Sequence, residues 1–504
     1  MNPLADALIT PLASQNDTVL IRHDHKEISG IDLYLLTSQI ANVLTDIGVE
    51  PGHRVAMQTE KTVEALALYL GCLRAGALFL PLNTAYTPAE MEYFIGNAEP
   101  TLVVCDPKSE AALSEFTKPR GIELLTLDSF GKGSLHDKTL KAGTTFTNVA
   151  RAPDDLAAIL YTSGTTGRSK GAMLSHENLL SNANSLCEAW HFNSDDTLLH
   201  SLPIFHVHGL FVAINVLMKA KGKIIFLPKF NVDQILEFLP KATSMMGVPT
   251  FYTRLLSEDR FTQNLTKHMR LFISGSAPLL SETHRIFELR TGHRILERYG
   301  MTETTMNTSN PYDGERRAGT VGLPLPRVEA RITDEKTGET LKSNQTGILE
   351  VRGPNVFKGY WRMPEKTKNE FRNDGFFITG DIAQIDAEGY VTIVGRAKDL
   401  IISGGYNVYP KEIEIQIDVL EGVMESAVIG APHPDFGEAV IAVVVCAKGK
   451  ITTAEKIQSA LKINLANFKC PKAIFFLEGL PRNTMGKVQK NELRKQYEKT
   501  FHKI

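Results

Sequence analysis

Tyr161-Thr-Ser-Gly-Thr-Thr-Gly-Arg-Ser-Lys-Gly171 sets three glycines, a run of Ser and Thr hydroxyls and one lysine directly after the short apolar run Ala157 to Tyr161. An apolar run of that length bounded by turn residues reads as a buried strand. Glycines let backbone N–H groups close around phosphate oxygens, the hydroxyls donate further hydrogen bonds, and Lys170 adds a mobile positive charge. A strand before and a lysine after are what a nucleotide loop requires. The spacing does not fit G-x-x-x-x-G-K-[ST], which excludes a Walker-type loop.

Outward from this loop the chain alternates strands and helices. Leu33 to Ile47 and Thr62 to Ala75 carry helical spacing, and Arg54 to Gln58 and Ala77 to Leu82 read as strands, as do Lys223 to Leu227, Ser244 to Val248 and Leu271 to Ser274. This predicts an α/β fold of largely parallel sheets covered by helices, with ligands at the carboxyl ends of the strands. From about Val328 short strands with turns replace the alternation, which marks a β-rich subdomain. After Asp399 a compact α+β unit follows. The predicted division is a large domain over 1–397 and a small C-terminal domain over 398–504, of ordinary domain size.

With 504 residues the chain exceeds what one core holds. A formal net charge of -2 argues against nucleic-acid binding, and no apolar run approaches the ~20 residues of a membrane span. The five cysteines are scattered and never form C-x-x-C, which favours a reducing compartment over a disulfide framework or structural zinc. The N-terminus lacks a basic region followed by a continuous apolar one, so the expected location is cytoplasmic.

The phosphate-type loop resembles the signature of the adenylate-forming superfamily, which includes acyl-CoA synthetases, luciferase and peptide-synthetase adenylation domains. Further motifs of that superfamily occur in order: Arg298-Tyr-Gly-Met-Thr-Glu-Thr304, Thr379-Gly-Asp381, Gly395-Arg-Ala-Lys-Asp-Leu-Ile-Ile-Ser-Gly-Gly405 and Pro481-Arg-Asn-Thr-Met-Gly-Lys487. The resemblance implies an enzyme that activates a carboxylic acid with ATP as an acyl-adenylate and passes it to coenzyme A, with Mg2+ as cofactor. It implies that Thr162, Ser163, Gly164, Thr165, Thr166, Gly167 and Lys170 hold phosphates. Gly275, Ser276, Ala277 and Pro278 would form one adenine wall, with Tyr299 stacking opposite beside Arg298, Gly300 and Met301.

The remaining roles follow from chemistry and resemblance together. Glu303 beside a triphosphate needs a cation between them, so it is the expected magnesium ligand, with Thr166 as the second; Thr302 would reach the α-phosphate. Asp381 can accept both ribose hydroxyls, with Arg396 as its partner. The resemblance assigns Lys487 to the reacting carboxylate and α-phosphate, where its charge stabilises the transition state. A lysine acetyltransferase acting there would switch adenylation off by removing that charge. Lys398 and Asp399 are the expected hinge of a mobile C-terminal domain, and Gly404 and Gly405 belong to the loop expected to open the pantetheine path.

Longer segments, among them Ala56-Met-Gln-Thr-Glu-Lys61, Gly247-Val-Pro-Thr-Phe-Tyr-Thr-Arg-Leu-Leu256 and Asn355-Val-Phe-Lys-Gly-Tyr-Trp361, are similar to the malonyl-CoA synthetases within the superfamily. Malonate must bury one carboxylate, which demands a fixed cation. Arg254 and Arg285 are the two candidates, with Ser276 assisting. His206 is expected beside the reacting carboxylate, and Met306 and Val207 on the wall that limits substituents at the α-carbon. Val207 departs from the Thr of that family, which bears on methylmalonate. The alternatives are a synthetase for another short, fatty or aryl acid, or a non-catalytic nucleotide-binding homologue.

Overall fold

The computed structural model of the chain describes residues 1–162, 169–403, 406–434, 436–465, 467–483 and 486–501. Two sheets dominate the first three hundred residues. One has six strands in the order Glu123–Thr126, Leu102–Cys105, Arg54–Gln58, Leu78–Pro81, Leu156–Thr162 and Lys170–Ser175, parallel except for its last pair. The other has nine, and its six inner strands, from Leu296–Tyr299 to Thr18–Arg22, are parallel. Parallel strands buried on both faces read as continuous apolar runs, as in Leu102–Cys105 and Leu271–Ser274, where every residue is buried.

The helix Val63–Ala75 supplies much of the core. Twelve of its thirteen residues are buried, the condition of a helix enclosed on all sides. Thr62 caps its start, and Gly76 ends it at φ 73°, a left-handed position that glycine adopts without strain. Its one buried cation, Arg74, is satisfied by Tyr34 and Phe146 carbonyls, Thr37 and Ser38 hydroxyls and the Asn148 amide. Buried polar groups are tolerated when bonded in this way.

The β-rich region is a four-stranded antiparallel sheet, Glu329–Thr333, Gly347–Arg352, Phe377–Ile385 and Val391–Arg396. A short turn, Ala397–Asp399, leads into a five-stranded mixed sheet built on Val423–His433 and Gly437–Cys446 and covered by Pro410–Asp418 and Ala454–Asn464. The α/β expectation holds throughout, including the change of texture near Val328. Among the described residues no helix is long and apolar enough to cross a membrane.

The phosphate-type segment joins two antiparallel strands, with Thr162 and Lys170 as register partners at its base. The helix His176–Ala189 then starts from a capping box made by Ser175 and Asn178. A seven-residue π-helical turn, His208–Ile214, lies wholly in the core. Such turns concentrate at functional sites, and nothing in the residue pattern announces this one.

Candidate functional site

Three loops converge where strands of the nine-stranded sheet end: 202–209, 275–280 and 299–307. The four-stranded sheet closes one side. Asp381 and Arg396 are directly opposed on adjacent strands, and the guanidinium Nε lies 3.0 Å from Asp381 Oδ1. The hydroxyl of half-buried Tyr299 donates to Asp381 Oδ2 at 2.5 Å. A carboxylate held by a phenol and a guanidinium, beside an aromatic face, suits a ring bearing a vicinal diol. Thr302 is half-buried and has no side-chain hydrogen bond among the described residues.

Glu303 is 6 % exposed and accepts a hydrogen bond from the Tyr360 hydroxyl at 3.0 Å. Burial raises its pKa above the ordinary carboxylate range. The same hydroxyl lies 2.7 Å from Glu370, whose other oxygen is 3.4 Å from Lys170 Nζ. Lys170 in turn sits 4.3 Å over the Tyr360 ring. Two carboxylates, a phenol and a lysine are thus linked beside the base of the phosphate-type loop. Tyr360 and Glu370 were not legible as site residues, because only tertiary packing brings them to Glu303 and Lys170.

On the other side, His206, His208, Ser276 and Arg298 gather. The His208 backbone N–H donates to His206 Nδ1 at 3.3 Å, and His208 Nδ1 is 3.2 Å from Ser276 Oγ. Burial, then the charges of Arg298 and Lys487, push His206 down to about 4, so the ring is neutral. With Nδ1 accepting, its proton lies on Nε2. Ser276 holds φ 67°, an uncommon conformation for a residue with a side chain.

Arg298 is 4 % exposed, and its Nε and Nη2 have no hydrogen-bond partner among the described residues. Its guanidinium packs against Gly275, where a Cβ would come within 2.3 Å of Cζ and would displace it. Burial brings its pKa down to about 9. Arg298 was expected beside the nucleotide; here its charge acts on His206 and His208. Val207 and Met306 are buried in the adjoining core, and Gly300 packs against Met306, where a Cβ would come within 2.5 Å of its Cε.

Of the two arginines expected to hold a carboxylate, Arg285 is bound to Glu282 at 2.6 Å on the helix Ser281–Thr291 and is 60 % exposed. Among the described residues no hydrogen bond joins Arg285 to Ser276; its bonds go to Glu282. Arg254 is exposed on the helix Pro249–Leu256 and makes no ion pair or hydrogen bond among the described residues. Thr250, four residues earlier and hence on the same face, meets the C-terminal loop at Gly486, where a Cβ would lie 3.1 Å from Thr250 Oγ1.

That loop is closed on itself. Asn483 Oδ1 accepts from the Lys487 N–H at 2.9 Å, and Asn483 N–H donates to Lys487 O at 2.9 Å. Arg482 adds bonds to Gly486 O and Glu425. Lys487 remains open to solvent, yet the surrounding protein, then Arg396, lowers its pKa to about 8. Behind it, Asp399 in the turn after the four-stranded sheet is 2.6 Å from Arg494; Lys398 beside it is exposed. Ser163, Gly164, Thr165, Thr166, Gly167, Gly404 and Gly405 lie outside the described residues.

Comparison with known proteins accords with this geometry. Residues 11–361 match the AMP-binding enzyme family, and residues 412–487 match the AMP-binding enzyme C-terminal domain. A malonate–CoA ligase of Arabidopsis thaliana is 36% identical over 486 residues, 89% of this chain and 78% of that protein. The mitochondrial malonate–CoA ligase ACSF3 of Mus musculus is 35% identical over 478 residues, 88% of this chain and 81% of that one. The crystal structure of ATP-bound MatB from Rhodopseudomonas palustris is 56% identical and superposes with a TM-score of 0.98, covering 99% of this chain and 100% of that one.

Proposed function

The chain belongs to the AMP-binding enzyme family, and on that premise we propose that it is an ATP-dependent acid–CoA ligase whose acid is malonate. The observation that carries the acid is Arg298, a buried guanidinium with two unpartnered nitrogens beside Ser276 and the paired histidines. An unpaired buried charge is costly, and a second carboxylate supplies the missing partner bidentately. A monocarboxylate would leave it unpaired. The named relatives, which are malonate–CoA ligases, support the same reading.

In this reading the free carboxylate of malonate attacks the α-phosphorus of ATP, the bond to the bridging oxygen breaks, and pyrophosphate leaves. The coenzyme A sulfur then attacks the acyl carbon, giving up its proton, and AMP departs. Tyr299, Asp381 and Arg396 hold the nucleoside. Neutral His206 donates from Nε2 toward the reacting carboxylate, and Lys487 offsets negative charge as the carboxylate and phosphate approach. Arg254 and Val207 flank the acyl side.

Glu303 fits a magnesium ion: it is a buried carboxylate with one neutral described partner. Among the described residues no three His, Cys, Asp or Glu side chains cluster for a metal, which suits an ion that keeps waters and takes its remaining ligands from phosphates. When bound there, magnesium supplies neutralisation of the phosphate charge.

The C-terminal unit from Lys398 is read as a mobile domain swinging about Lys398 and Asp399, with Gly404 and Gly405 serving the thioester step. The free state of all five cysteines supports a reducing, cytoplasmic setting.

The test is coenzyme A ester formation with malonate, methylmalonate, acetate and a medium-chain fatty acid in parallel. Malonate should lead by orders of magnitude. A lead for acetate or the fatty acid would discard the substrate.

A further inference from the structure

Lys61 is 7 % exposed, and no carboxylate pairs with it among the described residues. Its Nζ lies 2.6 Å from His200 Nδ1 and 3.0 Å from His200 O, over the Phe226 ring at 4.3 Å. His200 is itself fully buried and stacks on Phe226. Its Nε2 is 2.8 Å from the Gly209 carbonyl. A carbonyl can only accept, so Nε2 carries the proton, Nδ1 offers its lone pair, and Lys61 is the donor. Burial lowers both side chains well below their ordinary pKa values. A buried amine without an acid is expensive, and a packing role alone would be met by methionine.

The chain of contacts has a direction. Lys61 follows the strand Arg54–Gln58 of the six-stranded sheet, and His200 ends the strand Thr197–His200 of the nine-stranded one. The bond between them bridges the sheets. Its far end fixes the carbonyl of Gly209, which closes the loop bearing His206, Val207 and His208. There the loop doubles back so tightly that a Cβ on Gly209 would lie 2.0 Å from Pro203 O. From Gly209 the π-helical turn runs on, and Leu210 N–H donates to His206 O at 3.0 Å.

We infer that Lys61 and His200 are positioning residues for the acid pocket, holding the His206–Val207–His208 row at the spacing that admits malonate and resists a substituent on its α-carbon. The inference rests on that row facing the acid, as proposed above. Among the described residues neither side chain bonds to Asp381 or Glu303, so their effect is expected on the acid.

Lys61→Met removes the donor at similar length, His200→Phe removes the relay, and Lys61→Gln keeps a donor. In Lys61→Met the KM for malonate should rise about tenfold with the KM for ATP unchanged, and the preference for malonate over methylmalonate should fall several-fold. Lys61→Gln should recover part of both, and the double variant should lose no more than either single one. Should Lys61→Met not fold, Lys61→Gln and His200→Gln carry the same readouts. The inference is overturned if acid and ATP parameters fall together, or if acid KM and discrimination stay at wild-type values in a folded variant. A wild-type protein that activates only a monocarboxylate sinks the malonate reading instead; the split between acid and ATP parameters is then read with that acid.

Discussion

Gly486 lies so close to Thr250 that a β-carbon on it would stand 3.1 Å from the threonine hydroxyl. Thr250 opens the helix that carries Arg254, so the loop of Lys487 is seated on the helix proposed to flank the acid. Gly486 is also at φ 72°, where glycine is favoured. In the proposed function this is the pose that serves adenylation. Lys487→Ala should therefore slow pyrophosphate exchange by about two to three orders of magnitude, while the thioester step from preformed adenylate suffers far less. Equal losses in both half-reactions would refute the assignment.

The pH profile offers a second check on the same lysine. Its pKa is lowered to about 8, so the cation is present below that pH and is lost above it. The kcat/KM for ATP, which reports the free enzyme, should fall on the alkaline side with a midpoint about 8. Lys487→Arg, which stays charged, should abolish that limb whatever its absolute rate. A limb that persists in the arginine variant belongs to another group.

Arg298→Met separates stability from function. The wild-type guanidinium is buried with two unpartnered nitrogens, so an apolar replacement of similar length should leave the melting temperature unchanged or higher. Malonate should protect the wild type against thermal unfolding by mass action and should not protect the variant. Arg254→Ala should raise the malonate KM less, because Arg254 is exposed. Calorimetry with and without malonate decides this.

Glu303→Gln tests the magnesium ligand. The amide keeps the shape that Tyr360 contacts at 3.0 Å but removes the charge. Pyrophosphate exchange should then need about tenfold or more magnesium and should not regain the wild-type rate at saturation. Tyr360→Phe should give a milder shift in the same direction. An unchanged magnesium titration in Glu303→Gln would remove that residue from the metal site.

The proposed nucleotide half of the site was legible because its residues sit in contiguous motifs: Tyr299 and Asp381 are recognisable in sequence and meet at 2.5 Å. The acid half was legible only in part. Arg254, Arg285 and Arg298 are alike as letters, and what separates them is tertiary. Arg285 has Glu282 one turn away, whereas Arg298 packs against Gly275, just past the neighbouring strand Leu271–Ser274. The parallel strands were readable from continuous apolar runs, because burial on both faces removes the alternating signal. Lys61 showed nothing in sequence, since a lysine before a helix ordinarily faces water.

The pair Asp399–Arg494 bears on how the two ligase steps alternate. Arg494 Nη2 is 2.6 Å from Asp399 Oδ1, and both side chains are largely shielded. Arg494 lies on the helix Lys490–Tyr497, just beyond the Lys487 loop, and Asp399 lies in the turn between the last two sheets. The bond therefore ties the proposed hinge to the element next to Lys487. In the proposed swing about Lys398 and Asp399 that relation changes, so the bond is expected to favour the adenylation pose. Removing a shielded ion pair of this kind costs about 1 kcal/mol, roughly a factor of five in an equilibrium. Arg494→Gln should slow pyrophosphate exchange by about that factor and should not slow the thioester step measured from preformed adenylate. Equal slowing of both steps would show that the pair stabilises the C-terminal unit itself and leaves the balance between poses untouched.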